Sequence, residues 1–274
     1  MSFSPARQQF IQEIQAPEPQ IDLAKAALYL AQEEFPELEP MAYLNALDTM
    51  AVEIQERLPV ERYPLRVLQV MNQYLFTDLG FVGSRENYYD PDNSYLNQVI
   101  DRRTGIPITL SLVYLALAQR IDFPMVGIGM PGHFLIRPDF ADAGIYVDAF
   151  NQGEILFPVD CEARLSQIYG QPVQLQPEFL EPVGSRQFLA RMLTNLKVIY
   201  VNQNQIDKAL GAVERILLLF PEALSERRDR GLLYYQLDQW REARKDLEFY
   251  LAKMPSAPDE QVVRRLLERI DWAP

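Results

Sequence analysis

Gly129-Met130-Pro131-Gly132-His133-Phe134-Leu135-Ile136-Arg137 decides how this chain is read, because it contains the only histidine in 274 residues. Histidine is the one side chain whose unperturbed pKa suits proton transfer near neutrality, so general-base chemistry through an imidazole has a single address here. The glycines and the proline before it are turn signals, and Phe134 to Ile136 form a short apolar run of strand character. A second run, Ile145-Tyr146-Val147-Asp148-Ala149-Phe150, follows the turn-rich segment Pro138-Asp139-Phe140-Ala141-Asp142-Ala143. A hairpin with Arg137 opposite Gly144 sets His133 directly across from Asp148, with Cβ atoms roughly 4.5–5.5 Å apart. The imidazole–carboxylate hydrogen bond expected there has ordinary length, about 2.7–3.2 Å. Such a carboxylate fixes the tautomer and supports the imidazolium, as in a catalytic triad. The plainer reading has His133 closing a turn and Asp148 capping the next loop. Neither reading supplies a nucleophile.

Composition narrows the function classes. The net charge is −12, from 38 acidic against 26 basic residues, with no basic arm, basic stripe or glycine-rich phosphate loop. Nucleic-acid binding, which needs clustered Lys and Arg, is not expected. One cysteine forbids an intramolecular disulfide, and one histidine beside it leaves no zinc-binding set, so neither a metal nor a cofactor site is expected. Met1 to Gln15 lacks the charged-then-apolar pattern of a signal sequence. The longest apolar stretch, Ile106 to Ala118, carries Thr109, Ser111 and Tyr114 and falls short of the ~20 residues that span a bilayer. A chain without a membrane segment, in the bacterial cytoplasm, is the expectation.

Around the histidine the chain reads in three stretches. From Pro5 to about Leu79 the apolar spacing is helical, punctuated by prolines at 17, 19, 36, 40, 59 and 64. Gly80 to Asn93 is turn-rich, read either as a loop over the active-site face or as a plain connector. From Asn93 to about Glu181 the pattern is helix, strands, then a short helix opening near Val159. Pro107 suits a first helical turn, and the helix after it is apolar nearly all round and therefore expected to be buried. In the third stretch Tyr200, Ala209 and Pro221 recur as Tyr234, Ala243 and Pro255, each pair 34 residues apart, the tetratricopeptide period. The tyrosine fills the space between the two helices of a repeat, the alanine allows their close approach, and the proline breaks the second. Glu260 to Ile270 is placed to cap the array. Two repeats are few for a free-standing solenoid.

Taken together, Asn93-Ser94-Tyr95-Leu96-Asn97, Asp101-Arg102-Arg103-Thr104-Gly105-Ile106-Pro107-Ile108-Thr109-Leu110-Ser111, Pro131-Gly132-His133-Phe134-Leu135, Tyr146-Val147-Asp148 and Arg228-Asp229-Arg230-Gly231 resemble the bacterial SirB-type proteins, which have a transglutaminase-like core and a tetratricopeptide tail. The resemblance covers essentially the whole chain. It implies an α+β fold: a helical N-terminal region, a papain-like helix plus antiparallel sheet, and C-terminal helical repeats. The domains expected are 1–181 and 182–274. It also implies a Cys-His-Asp triad in that chain order, with the cysteine at the start of the buried helix, where helix dipole and imidazolium favour a thiolate. His133 and Asp148 match the second and third members. The nucleophile position falls near Ile108-Thr109, and no cysteine is there; Cys161 follows the aspartate and breaks the order.

Two functions follow. The favoured one is a non-catalytic or vestigial core joined to repeats that bind a protein or peptide partner on their concave face. The other is a hydrolase or acyl-transferase of peptide amide bonds, with Thr109 or Ser111 as nucleophile and His133 and Asp148 as base and orienter. A third and weaker reading makes Cys161 the nucleophile.

Overall fold

The computed structural model describes residues 4–140 and 144–271, so Ala141, Asp142 and Ala143 of the expected hairpin turn lie outside the described residues. It is an α+β structure in two compact units, residues 1–189 and 190–274.

In the first unit proline sets the helix starts. α1 (Pro5–Ile14), α3 (Pro40–Arg57), α4 (Pro64–Asn72), α6 (Pro107–Arg120) and α7 (Pro158–Tyr169) each begin on a proline, whose fixed φ and missing N–H suit the first helical position. Of the prolines that punctuate the N-terminal stretch, Pro40 and Pro64 are therefore helix openers. α2 (Leu23–Gln32) and α5 (Leu96–Arg102) complete the set, and a π-helical turn, Gln73–Asp78, continues α4. β1 (Val82–Gly83) pairs in parallel with β2 (Thr104–Gly105). The main sheet joins β3 (Met125–Ile128), β4 (Leu135–Pro138), β5 (Tyr146–Asp148), β6 (Glu154–Leu156) and β7 (Pro182–Val183) in the order β6-β5-β4-β3-β7, all antiparallel. α6 is the axis of the core. Pro107 to Tyr114 and Ala116 to Ala118 are all buried. It packs on β3 and β4 and also against α2, α3 and α5, which is why its sequence is apolar on every side. The first unit runs on to Leu189 because Phe188 sets its ring edge-on to Phe134 at 4.9 Å.

The second unit contains helical hairpins. α8 (Ser185–Asn202), whose first turn belongs to the first unit, precedes α9 (Ile206–Leu219); α10 (Leu224–Gln236) and α11 (Trp240–Lys253) form the next pair, and α12 (Glu260–Asp271) follows. Ala209 and Ala243 are fully buried, and Pro221 and Pro255 come just after the ends of α9 and α11. Gly231 on α10 is needed because a Cβ there would lie 2.9 Å from the Leu247 side chain on α11. Val263 and Ile270 of α12 enter the same apolar cluster as Ala243, Leu247 and Tyr250. The Arg228-Asp229-Arg230-Gly231 block acts as a latch. Arg228 bonds Asp259 at 2.9 Å, beside Tyr250, and Arg230 grips Asp246 with two nitrogens at 2.6 and 2.9 Å.

Candidate active site

His133 does not lie on a strand; it sits two residues before β4. Its own N–H donates to the Met130 carbonyl at 3.1 Å, closing the turn through Gly132. Gly132 has φ +72°, and a Cβ there would come within 2.7 Å of the Ile168 side chain on α7. No other residue satisfies both the backbone and the packing at this position.

The hairpin register differs from the one expected. Ile136 stands opposite Val147, two residues away from the alignment that puts Arg137 opposite Gly144. The displacement is even, so every side chain keeps its face of the sheet. His133 therefore reaches Asp148 from the end of the hairpin, not from directly across, and its Nε2 lies 2.8 Å from Asp148 Oδ2. The turn and cap roles of the plainer reading hold at the same time. Asp148 Oδ1 accepts the backbone N–H groups of Phe150 and Asn151 at 3.1 and 3.2 Å, capping the 3₁₀ turn Ala149–Asn151.

Asp148 is fully buried and saturated. Its Oδ2 also accepts Asn151 Nδ2 at 2.7 Å and Arg164 Nη1 at 3.0 Å, and Arg164 continues to Glu154 at 2.6 Å. Burial by itself pushes this carboxyl up. The hydrogen bond and charge of His133, the Asn151 amide and the Arg164 guanidinium outweigh it and hold the group below its ordinary value. An ionised Asp148 only accepts, so Nε2 of His133 carries a proton and Nδ1 is the atom that a base role uses.

The candidate nucleophiles do not join this pair. Thr109, in the first turn of α6, is fully buried; its Oγ1 accepts the Ile106 N–H at 3.1 Å and donates to the Asn93 carbonyl at 2.7 Å. The hydroxyl acts as a capping residue that ties α6 to the segment before α5. Ser111 is also fully buried, and its Oγ has no hydrogen-bond partner among the described residues. Cys161 is packed among Ile128, Met130, Leu135, Leu156 and Leu165. Burial first, then the carboxylates of Asp160 and Asp148, push its thiol up to about 12, the opposite of what a nucleophilic cysteine needs.

The turn-rich segment from Gly80 to Asn93 reaches this face. Tyr88 meets the Phe150 ring edge-on at 6.3 Å, and Phe150 in turn meets His133 at 6.1 Å. Arg85 lies over the Phe150 ring at 5.3 Å and donates to the Asn151 amide oxygen. Sequence reasoning missed Asn151, Arg164, Phe150 and Arg85. Asn151, three residues after an Asp that ends a strand, carries a capping signal; Arg164 carries none. Among the described residues no three His, Cys, Asp or Glu side chains converge to hold a metal ion, and no helix is long and apolar enough to cross a membrane.

Residues 41–194, over half of the chain, match the transglutaminase-like superfamily, and residues 196–268 match the tetratricopeptide repeat. A UPF0162 protein of Xylella fastidiosa (strain 9a5c) is 37% identical over 251 residues, covering 89% of this chain and 88% of that protein. The chain belongs to the UPF0162 family of transglutaminase-like proteins. Human F-box only protein 21 is 31% identical over 189 residues, 65% of this chain and 29% of that protein. Among solved structures, the crystal structure of menin matches at a TM-score of 0.41 and 10% identity, covering 88% of this chain and 68% of that one, a likeness too slight to inform the fold. The first turn of α6 in this UPF0162 chain holds Pro107, Ile108 and Thr109 and no thiol.

Proposed function

We propose that this protein is a SirB-type member of its family with a non-catalytic core, and that it works by binding a protein or peptide partner through its repeats. The observation that carries the reading is the Thr109 hydroxyl. It is the one side-chain oxygen in the first turn of α6, and its proton goes to the Asn93 carbonyl. A further support lies in the second unit. A cavity of about 330 Å³ between α8 and α10 is lined by Val198, Val201, Asn202, Asp229, Leu232 and Gln236, with Val198 and Val201 both exposed. Apolar surface of this kind on the first helices of successive repeats suits a helical or extended peptide.

The second reading, a hydrolase or acyl-transferase on peptide amides, is favoured by the well-made His133–Asp148 bond. It requires Thr109 to give up its bond to the Asn93 carbonyl, or Ser111, whose Oγ has no hydrogen-bond partner among the described residues, to pass its proton to His133. Affinity capture with the wild-type protein, Val198→Glu and His133→Ala separates the readings. A partner set lost in Val198→Glu and kept in His133→Ala is expected. A set kept in Val198→Glu and lost in His133→Ala would count against binding through the repeats.

A further inference from the structure

Asp148 spends its charge internally, on His133, Asn151 and Arg164. Arg85 does not. It is exposed, its guanidinium lies over the Phe150 ring at 5.3 Å, and the partner it donates to is the neutral amide oxygen of Asn151. That amide is itself fixed by Asp148, since Asn151 Nδ2 donates to the carboxylate at 2.7 Å. An exposed cation is thus held in one orientation by a ring and an amide, with its charge uncompensated by either. Guanidinium presents five N–H donors in a rigid fork that matches a carboxylate. Beside it runs an aromatic strip from solvent to the imidazole: Tyr89, 64% exposed, meets Tyr88 at 5.3 Å, and Tyr88, Phe150 and His133 follow.

We infer that this rim is a recognition site for the C-terminus of another polypeptide, one ending in an aromatic residue. The α-carboxylate takes the Arg85 fork, and the terminal side chain lies against Phe150 and Tyr88, next to His133. Cation and rings are neighbours within one side chain's reach. A terminal residue matches this spacing because it carries carboxylate and ring on the same Cα, whereas an internal Asp or Glu carries only the carboxylate and leaves the ring to a neighbouring residue. Edge-to-face contacts with Phe150 and Tyr88 suit a ring better than an aliphatic chain. The site lies wholly in the first unit and stands apart from the repeat-mediated binding proposed above, so failure of either leaves the other intact.

The lone histidine gives the test an unambiguous readout, because its ring protons produce a single set of imidazole signals in the NMR spectrum. N-acetyl-phenylalanine is the probe, with its uncharged amide and the dipeptide acetyl-Asp-Phe-amide as comparisons. The acid is expected to shift the His133 signals saturably in the millimolar range, where a fragment-sized ligand falls. The amide and the dipeptide are expected to bind at least about tenfold more weakly. Arg85→Gln is expected to weaken the acid by about tenfold or more with an unchanged melting temperature, since Arg85 is a surface group. Equal binding of acid and amide, tighter binding of the dipeptide, an Arg85→Gln protein that binds like wild type, or no His133 shift at tens of millimolar acid would each overturn the inference.

Discussion

Asp148 takes five hydrogen bonds from four sources: His133, Arg164, the Asn151 side chain and the two backbone N–H groups after it. Asp148→Ala strands a partly buried guanidinium and an imidazole at once. The expected cost is about 3–5 kcal/mol, as for breaking a buried ion pair, read as a fall in the urea midpoint. The pH dependence follows from the depressed carboxyl. Asp148 is held below its unfolded value, so its contribution is complete above pH ~3.9 and is lost as pH falls through the lower folded value. Wild type should therefore lose more stability than Asp148→Asn between neutral pH and strongly acidic solution; parallel losses would contradict the assignment. Cys161 gives a second residue-scale expectation. With its thiol pushed up to about 12, iodoacetamide labelling of the folded protein near neutrality should be slow and rise with pH well past ~8.5. Rapid, pH-insensitive labelling would mark an activated thiol instead. His133 and Asp148 were legible in the sequence because a single histidine and a strand-borne carboxylate leave few pairings. Arg164 was not, because it reaches Asp148 from a helix turn that shares no sequence pattern with the hairpin.

Two elements carry the arrangement. The Pro131-Gly132-His133 turn aims the imidazole, and Gly132→Ala there meets both a left-handed backbone and Ile168 at 2.7 Å. A loss of about 1–2 kcal/mol from the backbone alone is expected, together with a changed His133 NMR signal. An unmoved melt and spectrum would show that the turn tolerates a side chain. In the repeats, Ala243→Leu enlarges a fully buried position between α10 and α11 and should cost roughly 1–3 kcal/mol in a thermal melt. An unchanged melt would argue against close packing at that site. The element pattern itself was readable: the buried α6 from its uniform apolarity, the repeats from the 34-residue recurrence of Tyr, Ala and Pro. The hairpin register was not, since alternation fixes which face a side chain takes but leaves even displacements unresolved, and Ile136–Val147 differs from the expected pairing by two residues. β7, a pair of residues beside β3, was invisible at that length.

At the scale of the molecule, charge divides as the units do. Residues 190–274 hold 14 basic against 13 acidic residues, so the first unit, with 12 basic against 25 acidic, carries all of the net negative charge. The whole-chain figure conceals this near-neutrality of the repeats. The central claim is that the core keeps the base and its orienter without a nucleophile. Acyl-probe labelling tests it most directly. A fluorophosphonate offered to the intact protein should give no stoichiometric adduct by mass spectrometry, and His133→Ala should alter stability alone. A stoichiometric adduct on Thr109 or Ser111 that falls about 10²–10⁴-fold in rate in His133→Ala would contradict the account and establish a working acyl-transfer site.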